Sequence, residues 1–232
     1  MQNAPFSGVH LSSSKVGYQT KTLGAGNFVI TPSFEEVSGG EYNIDDLKVI
    51  GVPDTMANIQ TMNAAGEWTG MYFWYNEFDD GTTVYPAGWF DIDGVEPAGI
   101  TLKPGDAVFF YTDQDAAAIQ TAGAVSVGTI TLPVANGYTM LGNATPSPID
   151  VDNLKVIGVP DTMANIQTMN AAGEWTGMYF WYNEFDDGTT VYPAGWFDID
   201  GVEPAGITLQ AGDAVFFSTD QDGASVTIPG AL

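Results

Sequence analysis

The chain has 232 residues, with 29 acidic and 5 basic side chains, no arginine and a formal charge of −24; that balance leaves no basis for binding nucleic acid or anionic lipid through a basic patch. Cysteine is absent, which excludes disulfides and thiolate-bound metals. No apolar run reaches the roughly 18 residues a membrane-spanning helix needs, so membrane insertion is not expected, and 28 glycines, 13 prolines and plentiful Val, Thr, Tyr, Phe and Trp point to an all-β extracellular protein.

Residues 1–15 read as an extended tail with Phe6, Val9 and Leu11 as its apolar anchors. The start lacks a basic n-region and an apolar h-region, so a signal peptide is expected to have been removed ahead of this numbering. Val16–Leu23 alternates as a strand, Gly24–Gly26 turns, and Asn27–Thr31 reads as a second strand. Its counterpart further on is Val127–Leu132, a turn, then Tyr138–Gly142.

The centre of the chain occurs twice. Leu47–Leu102 is repeated letter for letter as Leu154–Leu209, 107 residues later, a block of 56 residues. A repeat of this kind makes each copy one structural unit. The match fades outward: KPGDAVFFYTDQDAA from Lys103 becomes QAGDAVFFSTDQDGA from Gln210. Recombination that homogenised only the middle would produce this pattern, and so would edges that meet different neighbours. Two identical cores argue against a single asymmetric catalytic centre.

Just ahead of the block, Asn43–Leu47 reads as a helical turn, and Leu47–Val52 opens the block as a strand ended by Pro53. Met71–Tyr75 is a continuous aromatic run that suits a central strand. Its alternation puts Tyr72 and Trp74 on one face and Met71, Phe73 and Tyr75 on the other, and Phe73, Trp74 and Phe90 are expected in the core. Short strands separated by Gly, Pro and Asp turns give two β-sandwich-like lobes, residues 16–125 and 126–232. Sustained helical periodicity is missing, so little helix is expected. No Ser/Gly-rich linker separates the lobes, which predicts a fixed relative orientation.

The residues that could carry chemistry are few. His10 is the one histidine, and no nucleophile elbow, zinc-protease motif or P-loop occurs, so no catalytic residue is assigned and an enzyme is not expected. Carboxylates cluster in turns at Asp79, Asp80, Asp91, Asp93, Asp113 and Asp115, and again at Asp186, Asp187, Asp198, Asp200, Asp220 and Asp222. Such turns could supply oxygens to calcium, although none has the full EF-hand spacing; Asp at these positions is also what the turns themselves favour. Trp68 and its copy Trp175 lie beside turns and are the aromatics expected to be exposed and able to stack on a sugar ring.

The hairpin sequence VGYQTKTL with AGNFVITPSF (Val16–Phe34), its echo from Val127, and the strand GDAVFF at Gly105 and Gly212 resemble repeats of an uncharacterised family of secreted bacterial tandem β-sandwich proteins. The resemblance covers nearly all of the chain after residue 15. It implies secretion and tandem β-units, and it carries no activity or site residues with it.

Two functions are expected from these features. The first is a secreted structural protein whose partner is itself, polymerising head to tail into a filament or surface layer. Phe6, Val9 and Leu11 would add as a strand to the next subunit, near Val226 and Ile228 of the terminal strand. The second is a carbohydrate-binding or adhesive cell-surface module that uses Trp68 and Trp175 on an extracellular glycan. No cofactor is required by either, and calcium is an accessory to both.

Overall fold

The computed structural model describes residues 16–34, 40–125 and 128–230. It is all-β, with short antiparallel strands and two single-turn 3-10 helices, Ile44–Asp46 and Val151–Asn153. Among the described residues no helix is long and apolar enough to cross a membrane.

The first lobe is built on a five-stranded sheet. Its spatial order is Gly26–Ile30, Val108–Thr112, Ala57–Met62, Trp68–Tyr75 and Gly88–Phe90. Facing it is a three-stranded sheet of Val16–Thr22, Ala118–Ala124 and Lys48–Ile50. The second lobe repeats both. Its five strands are Gly137–Gly142, Ala214–Thr219, Ala164–Met169, Trp175–Tyr182 and Gly195–Phe197. Its three are Ile130–Pro133, Ser225–Ile228 and Lys155–Ile157.

Alternation decides which side chains fill each lobe. Ala57 and Ile59 are buried while Asn58 and Gln60, which alternate with them, are not; Val49 is buried between exposed Lys48 and Ile50. The largest core side chains are the edge-on pair Trp74 and Trp89, 5.4 Å apart, with Phe110 against Trp89. Trp181, Trp196 and Phe217 repeat the arrangement. The buried indole of Trp89 donates to the Leu47 carbonyl oxygen at 3.0 Å, as an apolar site demands of its one polar atom. The expected helical turn is present as Ile44–Asp46. Asn43 caps it by accepting from the Asp45 N–H, and Asp150 does the same for Asp152 in the second lobe.

The lobes meet across an approximate two-fold relation. Asn27 N–H donates to the Ala171 carbonyl oxygen at 2.8 Å, and its counterpart Tyr138 N–H donates to Ala64, also at 2.8 Å. Thr31 N–H reaches Gly212 and Gly142 N–H reaches Gly105 in the same reciprocal way. Ile30 bridges to Asp213 and Leu141 to Asp106. Between these bonds lies an apolar seam to which equivalent positions of both lobes contribute: Val29 and Met140, Met62 and Met169, Ala107 and Ala214, Phe109 and Phe216. The same patch of each lobe therefore meets its equivalent, which is an isologous contact and closes on itself.

Two expectations need correcting. The terminal strand Ser225–Ile228 is not an edge. It lies between Ile130–Pro133 and Lys155–Ile157, and Val226 and Ile228, expected at a polymer contact, are fully buried in the second core. The contact between the lobes is formed by the paired hairpin edges and not by the chain ends. Finally, Phe73 and Phe90 are half-buried on the outer face of the large sheet, whereas Trp74 with Trp89 occupies the core. Phe6, Val9, Leu11 and His10 lie outside the described residues.

Candidate functional site

On the outer side of each large sheet, the chain leaves the core and returns through a short hairpin, Phe78–Asp79 paired with Val84–Tyr85. Its tip is held by its own carboxylates. Asp79 Oδ1 accepts the Gly81 N–H at 2.8 Å; Asp80 Oδ1 accepts the N–H of Thr82 and of Thr83 at 2.8 Å and the Thr82 hydroxyl at 2.6 Å. These bonds, the Thr82 hydroxyl first, hold the Asp80 carboxyl below its ordinary value. Gly81 takes φ +86°, a conformation that its lack of a Cβ permits.

That hairpin raises two aromatic rings above the surface. Phe78 and Tyr85 are directly opposed in register and stacked, with centroids 6.1 Å apart and planes at 26°. They are 59% and 51% exposed, high for side chains of this size. Next to them stand Tyr75 and Phe90, edge to face at 5.9 Å. The four rings wall a cleft of about 620 Å³, with Asp54 and Asn76 supplying its polar atoms. This volume is within the range of small-molecule sites.

The floor of the cleft is tied to the core. Asp54 Oδ1 accepts from Asn76 N at 2.8 Å and from Asn76 Nδ2 at 2.7 Å. Asn76 in turn accepts from the core indole Trp74 Nε1 at 3.1 Å and donates to the Val52 carbonyl oxygen. Thr55, the residue after Asp54, sits at φ +64° and donates its N–H to Trp74 O at 2.8 Å. A β-branched residue in that region is strained by roughly 1–3 kcal/mol, so surrounding bonds must impose it. The Tyr75 hydroxyl donates to the Ile92 carbonyl oxygen at 2.7 Å, which fixes the ring. Burial, followed by the carboxylates of Asp91, Asp93 and Asp54, pushes its phenol above the ordinary value.

The arrangement recurs in the second lobe. Phe185 stacks on Tyr192 at 6.1 Å and 26°, Tyr182 meets Phe197 at 5.9 Å, and Asp161 Oδ1 accepts the same two Asn183 bonds. Thr162 repeats the φ of +64°. Asp54, Tyr75, Asn76, Phe78, Tyr85 and Phe90 all fall inside the block that occurs twice without a change.

Trp68 and Trp175 are placed elsewhere. They are 49% and 59% exposed, as expected, but they lie over the seam between the lobes. Trp68 packs on Phe109 at 5.1 Å and approaches Phe216, on which Trp175 also packs at 4.9 Å. With Met62, Tyr138 and Gln167 they line one shallow groove of about 430 Å³. The two tryptophans converge on one place instead of forming two separate sugar platforms.

The Asp-rich turns are accounted for locally. Asp91 Oδ1 accepts the Val95 N–H and Asp198 Oδ1 the Val202 N–H, both at 2.9 Å. Asp186 and Asp187 repeat the bonds of Asp79 and Asp80. Asp113 and Asp220 accept from the neighbouring Gln114 and Gln221. Asp93, Asp115, Asp200 and Asp222 stand in the same turns. Among the described residues, no group of three or more acidic or histidine side chains is disposed to hold a metal ion.

The cleft was legible only in hindsight. Its signal is two aromatics, Phe78 and Tyr85, bracketing an Asp-Asp-Gly turn, which places both rings on a protruding hairpin. No protein-family model, curated protein or solved structure matches the chain.

Proposed function

We propose that this is an extracellular, non-catalytic adhesive module that binds a surface glycan through two identical aromatic clefts. The observation that carries the reading is the exposed Phe78–Tyr85 pair, rigidly mounted beside Tyr75, Phe90 and Asp54 and present again in the second lobe. Stacked rings offer flat apolar faces to the C–H face of a pyranose, while the Asp54 carboxylate, oriented by Asn76, accepts hydrogen bonds from its hydroxyls. Two equivalent sites on one body convert weak single contacts into avidity for a repeating polymer. The test is a glycan array with the full chain and with Phe78→Ala plus Phe185→Ala. Binding that disappears in the double variant supports the reading. Binding that persists, with the variant folded, rejects these clefts.

A second reading, the self-assembling filament or surface layer, has its own support. Among the described residues Lys48–Ile50 and Lys155–Ile157 pair on one side only, and Ile50 and Ile157 are exposed on these edge strands. Such an edge accepts an added strand, here residues 6–11 of a neighbouring copy. Because the contact between lobes closes on itself, repeating it would not extend a polymer; the added strand would have to do so. Negative-stain microscopy of the intact chain and of a chain lacking residues 1–14 tests it. Fibres in the first sample and none in the second are expected. Fibres in both would reject strand exchange by the tail.

A further inference from the structure

Resting on the adhesive reading above, we infer that the group each cleft selects is a protonated amine carried on a sugar, so that the ligand is a polymer of free amino sugars. The cleft presents the faces and edges of four rings, Tyr75, Phe78, Tyr85 and Phe90, from two pairs set 6.1 and 5.9 Å apart. The face of an aromatic ring is electron-rich and attracts a cation, most strongly where water is partly excluded. One carboxylate stands among the rings. Both hydrogen bonds from Asn76 go to Oδ1 of Asp54, a residue that lines the cleft, so Oδ2 takes no part in them.

The surroundings carry the same sign. The repeated block holds eight acidic residues and one basic residue, Lys48. Asp91 and Asp93 lie close enough to the cleft to act on the Tyr75 phenol. Among the described residues, those that line the cleft include no cation. A uronate or sulfated sugar would enter this field without a partner for its charge. An N-acetylated sugar would stack, yet leave the carboxylate without a counter-ion. An ammonium on a pyranose satisfies rings and carboxylate together, and its polymer can occupy both clefts.

The experiment is titration calorimetry of the full chain with three defined hexasaccharides: glucosamine, N-acetylglucosamine and galacturonic acid. The glucosamine oligomer is expected to bind about tenfold or more tighter than the N-acetylated one, and the galacturonate not measurably. Asp54→Asn plus Asp161→Asn keeps an oxygen to accept from Asn76 and Asn183, and should bring the amine preference close to one. Tyr85→Ala plus Tyr192→Ala should abolish binding of the amine oligomer. Equal or tighter binding of the N-acetylated oligomer overturns the amine inference and leaves the adhesive reading standing. Binding of the amine oligomer that survives the tyrosine variant would assign it to general surface charge and overturn the inference. Failure of all three sugars to bind overturns it and counts against the glycan reading as well.

Discussion

Lys21 of the first lobe is ion-paired with Asp213 of the second, and the same ammonium reaches the Ala211 carbonyl oxygen at 3.4 Å. The pair stands at the margin of the otherwise reciprocal seam, and it has no twin. Leu132 occupies the place of Lys21 in the second lobe, and Asp106 occupies the place of Asp213. One ion pair thus marks the two halves of a near-symmetric molecule as different.

Removing that ammonium leaves Asp213 partly buried without its partner. Lys21→Met should cost about 1–2 kcal/mol, less than a fully buried pair because both side chains keep some contact with water. Urea unfolding of Lys21→Met, Asp213→Asn and the double variant closes a cycle. A coupling below about 0.3 kcal/mol would show that the two residues act independently.

Asp106 lacks the lysine that Asp213 has. Burial pushes its carboxyl above the ordinary value, opposed by the Lys103 N–H bond and charge. A carboxyl raised in the folded state contributes stability that is present below its unfolded value and lost as pH rises through the folded one. Asp106→Asn keeps an oxygen for the Lys103 N–H, which Asp106 Oδ2 accepts at 2.9 Å. The variant should therefore gain up to about 1 kcal/mol at neutral pH and nothing in acid, once partial exposure is allowed for. Melts across the acidic range would show the two curves converge as pH falls. A constant gap would remove the carboxyl as the cause.

The core and the cleft should separate cleanly by mutation. Trp89→Ala removes a fully buried ring together with its bond to Leu47, and should cost about 3–5 kcal/mol. Phe78→Ala removes an exposed ring and should change stability by less than about 1 kcal/mol. Chemical denaturation reads both. A large loss at Phe78 would make the hairpin a structural element rather than a ligand platform.

The reciprocal seam predicts the behaviour of half the molecule. Residues 128–232 alone expose Met140, Met169, Ala214 and Phe216, a patch that meets its own equivalent in the intact chain. This fragment should form a two-fold dimer, with Tyr138 N–H again bonded to the backbone that Ala64 provides in the whole protein. Sedimentation velocity is the measurement, and Phe216→Asp should return the fragment to monomer. A parent fragment that stays monomeric at high concentration would mean that the seam holds only because the chain ties the lobes together.

Much of the fold was legible along the chain because its cause is local. The exact repeat announced two units; alternation at Ala57–Gln60 and the turns at Asp79–Gly81 and Asp91–Gly94 placed strands and bends; Asn43–Leu47 read as a helical turn. These follow from backbone preference and from side chains that alternate across a sheet, both properties of a few consecutive residues. The aromatic run Met71–Tyr75 was read correctly as a central strand with Tyr72 and Trp74 on one face, but Phe73 on the other face was wrongly expected in the core. Only packing against Trp89 decided that Trp74 lies inside and Phe73 outside.

Three things were settled by tertiary structure alone. The terminal strand looks like an edge in sequence, yet it is a central strand, since its partners lie about 70 to 100 residues earlier in the chain. Trp68 and Trp175 occupy identical stretches on separate lobes, yet they converge, because the lobes meet face to face across an approximate two-fold axis. The cleft needs Asp54, Tyr75, Phe78, Tyr85 and Phe90 to meet through strand pairing and a strained Thr55. Local sequence specifies which elements form; the pairing of distant strands and the burial of shared apolar surface specify which elements become neighbours, and a candidate site exists only after that second choice is made.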